Sequence, residues 1–100
     1  LTSTICHVIK RAYYRTSMSL AKILLKLKSI KEFNNMLEVL LTAKERLEID
    51  QRIEIITRLE KGHSQHKIAS ELGVGIATVT RGSKVIRNDS YHNVKNILCE

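Results

Sequence analysis

The sequence contains no proline and only four glycines, which are Gly62, Gly73, Gly75 and Gly82. Because proline and glycine interrupt regular structure most strongly, the interruptions are concentrated in one region of the chain. Alternating runs of β-branched residues between turn residues, which would predict a sheet, are also lacking. The chain is therefore predicted to be all-α.

Cysteines and long apolar runs are scarce as well. The two cysteines, Cys6 and Cys99, lie at opposite ends of the chain and form no C-x-x-C pair, so neither a metal site nor a redox motif is indicated. A reducing, cytoplasmic location is the expectation. The apolar stretches are short of the roughly 20 residues of a membrane span, and residues 1–16 lack the apolar core of a signal peptide.

What the chain has in excess is positive charge. Its 100 residues, enough for one domain, carry a net charge of +7 and an isoelectric point near 9.7. This balance favours an acidic partner such as nucleic acid or an anionic membrane. A domain of this size buries a modest share of its surface, so a partner subunit would stabilise it.

Apolar spacing and capping residues predict the first three helices. An apolar stripe at positions i, i+3, i+4 and i+7 is formed by Leu20, Ile23, Leu24 and Leu27. Ser29–Glu32 has the form of a capping box and predicts a short helix up to Leu40. Thr42–Glu45 is a second capping box, and it predicts a long helix to Lys61 that Gly62 ends.

Three further helices are predicted after this stop. Ser64 is expected to cap a helix at Gln65–Leu72, which Gly73 ends. A helix at Ile76–Arg87 follows, and Ser90 is expected to cap a last short helix. About six helices are predicted in all.

The long helix carries a broad apolar surface, formed by Leu47, Ile49, Ile53, Ile55, Ile56 and Leu59. A surface that wide suggests burial on more than one side, as in an intertwined homodimer.

Residues 65–84 fit a helix-turn-helix. Ala69 is small where two helices would cross, and Gly73 lies at the tight turn, where a left-handed backbone suits glycine. Apolar residues stand where the helices would pack: Ile68, Leu72, Val74 and Val79. The alternative is an ordinary helical hairpin, but the pattern and the positive charge together favour DNA binding. A dinucleotide loop is excluded because the third glycine is missing and a helix, not a strand, precedes Gly73.

The stretch GVGIATVTRGS, residues 73–83, and the segment from Leu41 to Ser83 around it resemble the bacterial tryptophan repressor family. The similarity covers roughly residues 17–98 and is strongest over 41–84. It implies a helical, interlocked homodimer that binds L-tryptophan as corepressor and then operator DNA. On this basis the chain is divided into an N-terminal basic arm (1–16), dimerisation helices (17–62), a DNA-binding segment (63–88) and a C-terminal helix completing the dimer core (89–100). It implies no catalytic residues, no metal and no other cofactor.

The resemblance also implies a tryptophan site. Arg52 matches an arginine that stacks on one face of the indole, and Arg81 matches one that lies on the other face and holds the carboxylate. Val85 stands where the family has a serine near the ligand's amino group, so a hydroxyl partner is lost. Thr42, with the backbone carbonyls of Val39 and Leu41, matches a wall of the site that the partner subunit supplies. The implied ligand residues are Val39, Leu41, Thr42, Arg52, Arg81, Gly82 and Val85.

The residue chemistry agrees, since guanidinium groups stack on aromatic rings and pair with carboxylates. Gly82 inside a helix costs about 1 kcal/mol relative to alanine, and room for a flat ligand would explain it. Alternatives stay open: Arg52 could pair with Glu48, Thr42 could be only a helix cap, and Arg81 could contact phosphate. For Arg58, an ion pair with Glu54 is the preferred interpretation.

Register with the family predicts the DNA-contacting residues Gln65, His66, Ala69, Gly75, Ile76, Ala77, Thr78 and Thr80. The recognition helix would have a slim leading end that reads DNA through backbone, hydroxyls and ordered water. His66 stands where the family often has a basic residue, which weakens phosphate attraction near neutral pH. The linker 62–64 is one residue shorter than usual.

The sequence thus predicts a tryptophan-gated repressor that is not an enzyme. One alternative is a helix-turn-helix regulator of the same superfamily that ignores tryptophan, which Val85 and the short linker favour. Another is the DNA-binding part of a transposase-like enzyme, although no acidic catalytic trio is evident. A general DNA-packaging protein, recognised by steep salt dependence without sequence preference, is the third.

Overall fold

The computed structural model describes residues 19–99, so the predicted basic arm at 1–16 lies outside the described part of the chain. All regular structure within residues 19–99 is helical, and no strand occurs there. The prediction of an all-α chain is confirmed. None of the described helices is long and apolar enough to cross a membrane.

The chain divides into two compact units, one ending at Leu41 and the other beginning at Thr42. In the first unit, residues 19–24 are helical and a turn follows at 25–26, so the helix ends before the predicted stripe reaches Leu27. Helix α1 then spans Ile30–Leu40. No residue between 19 and 41 is buried.

The start of α1 follows the predicted cap in part. The Ser29 hydroxyl accepts a hydrogen bond from the Glu32 backbone N–H at 3.2 Å. The Glu32 carboxylate, however, accepts from the backbone N–H of Lys28 at 2.6 Å rather than from that of Ser29. The glutamate reaches one residue farther back than a capping box requires, and it still satisfies a donor ahead of the helix.

The second unit contains four helices: α2 (Ala43–Glu60), α3 (Gln65–Leu72), α4 (Ile76–Val85) and α5 (Asp89–Leu98). The predicted capping box at Thr42 forms in both directions, with Thr42 Oγ1 accepting from Glu45 N–H at 3.1 Å and Glu45 Oε1 from Thr42 N–H at 2.9 Å. Gly62, at φ 88°, adopts the left-handed conformation just after α2.

The core of this unit lies where α2, α3 and α4 meet. Ile55, Ile68 and Val79, one from each helix, are almost completely buried and pack together. Four partly buried residues surround them: Leu59, Ala69, Leu72 and Val74. The packing positions predicted for the helix-turn-helix are therefore confirmed, and Ile55 connects them to the long helix.

The last two helices differ from the prediction at their ends. Helix α4 stops at Val85, two residues before the predicted Arg87. The predicted cap of α5 at Ser90 does not form. Asn88 caps this helix instead, since its side-chain oxygen accepts from the Ser90 backbone N–H at 2.9 Å. Asparagine caps a helix as well as serine does, so the residue types alone do not decide between Asn88 and Ser90.

Candidate ligand cleft and nucleic-acid interface

Helices α3 and α4 form a helix-turn-helix held on α2. Ser64 caps α3 by accepting from the Lys67 backbone N–H at 3.2 Å. Gly73 ends α3 at φ 66°, the left-handed conformation predicted for it. Gly75 precedes α4 with an extended backbone and no side chain to cap the helix. The turn thus leaves the backbone N–H groups at the start of α4 without a side-chain partner.

The leading end of α4 is exposed and carries short side chains. Gly75, Ile76, Ala77 and Thr78, all predicted to face DNA, are exposed. His66 on α3 is exposed as well, whereas Ala69 is half-buried against the core. The methyl group of Ala69 is thus largely occupied by packing.

Two residues predicted to contact DNA bind each other. The Thr80 hydroxyl lies 2.9 Å from Gln65 Oε1 and 3.0 Å from the Ile76 carbonyl, and it can donate to one of them at a time. Both side chains are half-buried. Their contact joins the start of α3 to the middle of α4, so each retains only part of its hydrogen-bonding capacity for DNA.

A cleft of about 230 Å³ opens between α2 and α4. Its lining is formed by Glu48, Gln51, Arg52 and Ile55 from α2 and by Thr78 and Arg81 from α4. This volume is below the roughly 300 Å³ at which clefts for drug-sized ligands begin, so it suits a molecule of amino-acid size.

The two arginines predicted to sandwich a ligand therefore face one cleft from two helices. Within residues 19–99, neither Arg52 nor Arg81 forms an ion pair or a side-chain hydrogen bond. The alternative pairing of Arg52 with Glu48, four residues earlier, is not formed. Both guanidinium groups remain open to an anion or to an aromatic face.

Residues 16–98 match the family described as Trp repressor protein. The chain belongs to the Trp repressor protein family. It is 45% identical over 56 residues to a protein named Trp operon repressor homolog from Vibrio campbellii, covering 55% of this chain and 56% of that relative. A relative of the same name from Photobacterium profundum is 46% identical over 56 residues, covering 55% and 54%.

A third relative extends the similarity along the chain. The Trp operon repressor homolog of Xylella fastidiosa is 36% identical over 80 residues, covering 79% of this chain and 84% of the relative. The chain spans just over half the length of the Vibrio campbellii and Photobacterium relatives. No solved structure gives a significant match.

None of the other ligand residues inferred from Trp repressor register is among the residues that line the cleft. Val39 is 81% exposed and Leu41 half-buried, and both belong to the first unit. Thr42 is exposed and caps α2. Val85, 37% exposed, does not line the cleft. Their assignment to a ligand site stays a prediction.

Gly82 is explained by helix packing. It is buried, and a Cβ atom added there would lie only 2.7 Å from Ile55 Cγ2 and 3.9 Å from Leu59 Cδ1. Glycine therefore lets α4 approach α2 closely, next to the cleft. Room for a ligand is not needed to account for this residue.

Some residues of the site were missed from the sequence. Glu48 and Gln51 line the cleft but are not among the ligand residues predicted from the sequence. Their spacing from Arg52 and Ile55 places all four on one face of α2, so the helical period could have identified them once Arg52 was chosen.

Ionic contacts fix the helices that carry the site. Arg58 pairs with Glu54 on α2 at 2.9 Å, as predicted, and also with Glu71 on α3. At the end of α2, Glu60 accepts from the Tyr91 hydroxyl at 2.7 Å and pairs with Lys95 at 3.2 Å. Neither interhelical contact was predicted, because each partner is distant in sequence.

Proposed function

We propose that this chain is a homodimeric, DNA-binding transcriptional repressor that takes L-tryptophan as corepressor in the cleft between α2 and α4. The observation that supports it is the placement of Arg52 and Arg81, both without a carboxylate partner among the described residues, on opposite sides of one small cleft. Membership of the Trp repressor protein family supports the regulatory role.

The chemistry of the cleft suits the proposed ligand. A planar guanidinium stacks on an aromatic ring and holds a carboxylate through paired N–H donors. Two such groups, with Ile55 as an apolar contact at the base, offer an indole ring two faces and its carboxylate a partner. Residues 19–99 contain no group of three or more His, Cys, Asp or Glu residues that could hold a metal ion.

A ligand in this cleft would act directly on DNA reading. Thr78 and Arg81 line the cleft and also belong to α4, whose leading residues are exposed for contact with DNA. A ligand that separates α4 from α2 therefore sets the angle of the recognition helix. Dimeric helix-turn-helix proteins, Trp repressors among them, must present two such helices about 34 Å apart to successive major grooves.

A second copy of the chain is part of the proposal. Leu47 and Ile97 in the second unit are 69% and 79% exposed, and no residue in 19–41 is buried. The first unit also has an apolar groove lined in part by Leu27, Met36 and Val39. Exposed apolar surface of this extent is typical of a subunit interface, and the interlocked dimer inferred from the family would cover it.

Calorimetry and DNA binding test the proposal together. L-Tryptophan is titrated into the full chain, and duplexes selected from a random-sequence pool are tested with and without tryptophan. We expect saturable tryptophan binding, tighter DNA binding with tryptophan present, and tighter tryptophan binding with the selected duplex present, because coupling between two ligands is reciprocal. Absence of heat together with tryptophan-independent DNA affinity would contradict the corepressor role.

A second candidate function is a helix-turn-helix regulator that does not respond to tryptophan. Val85 favours it, because this residue supplies no hydroxyl and does not line the cleft. In that case the selected duplexes would bind with the same affinity at every tryptophan concentration. The same titration therefore separates the two candidates.

A further inference from the structure

The cleft between α2 and α4 holds a carboxylate as well as two guanidinium groups. Glu48 lines it together with Arg52 and Arg81. A glutamate four residues before an arginine is the favourable order for an ion pair on a helix, yet Glu48 forms no ion pair among residues 19–99. Charges of both signs are thus open within one small cleft.

Their spacing suits a zwitterion. Residues four apart on a helix have Cβ atoms roughly 5–6 Å apart, so Glu48 and Arg52 present a negative and a positive group about one helical turn apart. The ammonium and carboxylate groups of an α-amino acid are attached to the same carbon. Long, exposed side chains such as these can reach both groups of one bound amino acid.

The position where the family has a serine offers an ammonium group no partner in this chain. Val85, one turn after Arg81, has no hydrogen-bonding side chain and does not line the cleft. Glu48 is the only carboxylate among the described lining residues. An ammonium group without a partner in a partly desolvated cleft is costly, whereas one paired with a carboxylate gains a charge-assisted hydrogen bond.

We propose that Glu48 binds the ammonium group of a zwitterionic amino acid, with Arg81 or Arg52 on its carboxylate, and so replaces the hydroxyl that Val85 lacks. This assignment rests on the corepressor function proposed above. It makes Glu48 a specificity-determining residue that distinguishes an amino acid from a carboxylic acid with the same ring.

Paired ligands and paired variants test this role. L-Tryptophan and indole-3-propionate share ring and carboxylate, but the second has no ammonium group. Their affinities are measured by calorimetry for the native chain, for Glu48→Gln and for Glu54→Gln, which makes the same change on α2 outside the cleft. Thermal unfolding verifies that the variants fold.

We expect Glu48→Gln to weaken the binding of tryptophan at least tenfold and to change the affinity for indole-3-propionate less than twofold. Glu54→Gln should alter neither affinity. If Glu48→Gln weakens both ligands equally, or weakens neither, the assignment of Glu48 is overturned although the corepressor function stands. If the native chain binds neither ligand, the corepressor function itself fails, and the role of Glu48 fails with it.

Discussion

Gly82 shows how one residue controls the approach of two helices. Ile55, its neighbour across the interface, is 1% exposed and has almost no room to move. The sequence identified Gly82 as unusual because glycine is unfavourable inside a helix. It could not identify the reason, since the contact depends on a residue 27 positions away that only the fold brings close.

Replacing Gly82 with alanine should destabilise the protein. Helix propensity favours alanine by about 1 kcal/mol, but overpacking a close-packed core typically costs about 1–3 kcal/mol. Because the new Cβ would lie 2.7 Å from the branched side chain of Ile55, we expect the second effect to prevail, with a net loss of up to about 2 kcal/mol. Urea unfolding at fixed protein concentration measures it.

The identity of the clashing atom gives this prediction its control. The nearest atom to the added Cβ is Ile55 Cγ2. Ile55→Leu removes that methyl branch at constant volume, whereas Ile55→Val keeps it. Each Ile55 substitution is made alone and together with Gly82→Ala. The stability lost on adding Gly82→Ala should be smaller in Ile55→Leu than in Ile55→Val. Equal losses would mean that the contact with Ile55 is not the cause.

Tyr91 should make stability depend on pH at both extremes. Burial, together with the hydrogen bond to Glu60, raises the pKa of the Tyr91 phenol. The stabilisation that Tyr91 provides is therefore complete below about pH 10, the pKa of tyrosine in the unfolded chain, and it is lost as the pH rises further. The hydrogen bonds from Tyr91 and then Lys95 lower the pKa of Glu60 from its ordinary 4.5, so that contribution is lost as the pH falls.

Tyr91→Phe removes the titration of the phenol and the larger of the two effects that lower the pKa of Glu60. We expect the unfolding free energy of this variant to fall less steeply with pH than that of the native chain. The difference should be seen as the pH rises above 10 and as it falls from about 5 to 3. Lys95→Gln should flatten only the acidic side, and by less, because Lys95 has the smaller effect on the pKa of Glu60. Urea titrations across this pH range are the measurement. Unchanged slopes in Tyr91→Phe would exclude the proposed coupling.

At the scale of helices, the sequence predicts best what is decided locally. Thr42 and Ser64 cap the helices that were expected, because a cap and its partner lie three residues apart. The Asn88 cap was missed because two good capping residues, Asn88 and Ser90, stand close together. The lining of the cleft was predicted only in part, since Glu48 and Gln51 become neighbours of Arg81 through the packing of α2 against α4.

Arg58 joins α2 to α3 and should help to hold the helix-turn-helix on the long helix. Its side chain is 25% exposed and pairs with Glu71 across the interface as well as with Glu54 on its own helix. We expect a double-mutant cycle on Arg58 and Glu71 to give a coupling of about 0.5–1 kcal/mol, the upper part of the range for exposed pairs. Urea unfolding provides the four free energies.

The intrahelical pair is the matched comparison for this cycle. An i,i+4 pair on an exposed helix face contributes about 0.3–0.5 kcal/mol, so the cycle on Arg58 and Glu54 should give the smaller coupling. Exchanging the charges, Arg58→Glu with Glu71→Arg, should restore part of the DNA affinity that either single change lowers. The recovery is partial because the exchange also puts a second carboxylate four residues after Glu54 and a second cation four residues after Lys67. A cycle with no coupling between Arg58 and Glu71 would show that the core residues alone fix α3.

For the whole molecule, the distribution of charge is uneven. The first acidic residue is Glu32, so the seven basic residues before it are unopposed, while the other ten are matched by all ten acidic residues. The net charge of +7 therefore belongs entirely to residues 1–31, and the helix-turn-helix lies in the electrically balanced remainder.

We expect this charge to govern the sequence-independent part of DNA binding. Each phosphate contact releases counterions and contributes about 0.9 to the slope of log affinity against log salt. Lys22 and Lys26 are exposed and form no ion pair within residues 19–99. Replacing both with glutamine should reduce that slope by about 1–2 per chain on random-sequence duplex, measured by fluorescence anisotropy between low and physiological salt.

Lys44 and Lys61 provide the control, because changing both to glutamine removes the same charge from the balanced part of the chain. That variant should keep the native slope, because we expect the phosphate contacts to be made by residues 1–31. A slope that falls equally in the two variants would show that net charge matters and its position does not. A slope lowered only by the Lys44 and Lys61 changes would place the phosphate contacts on the second unit.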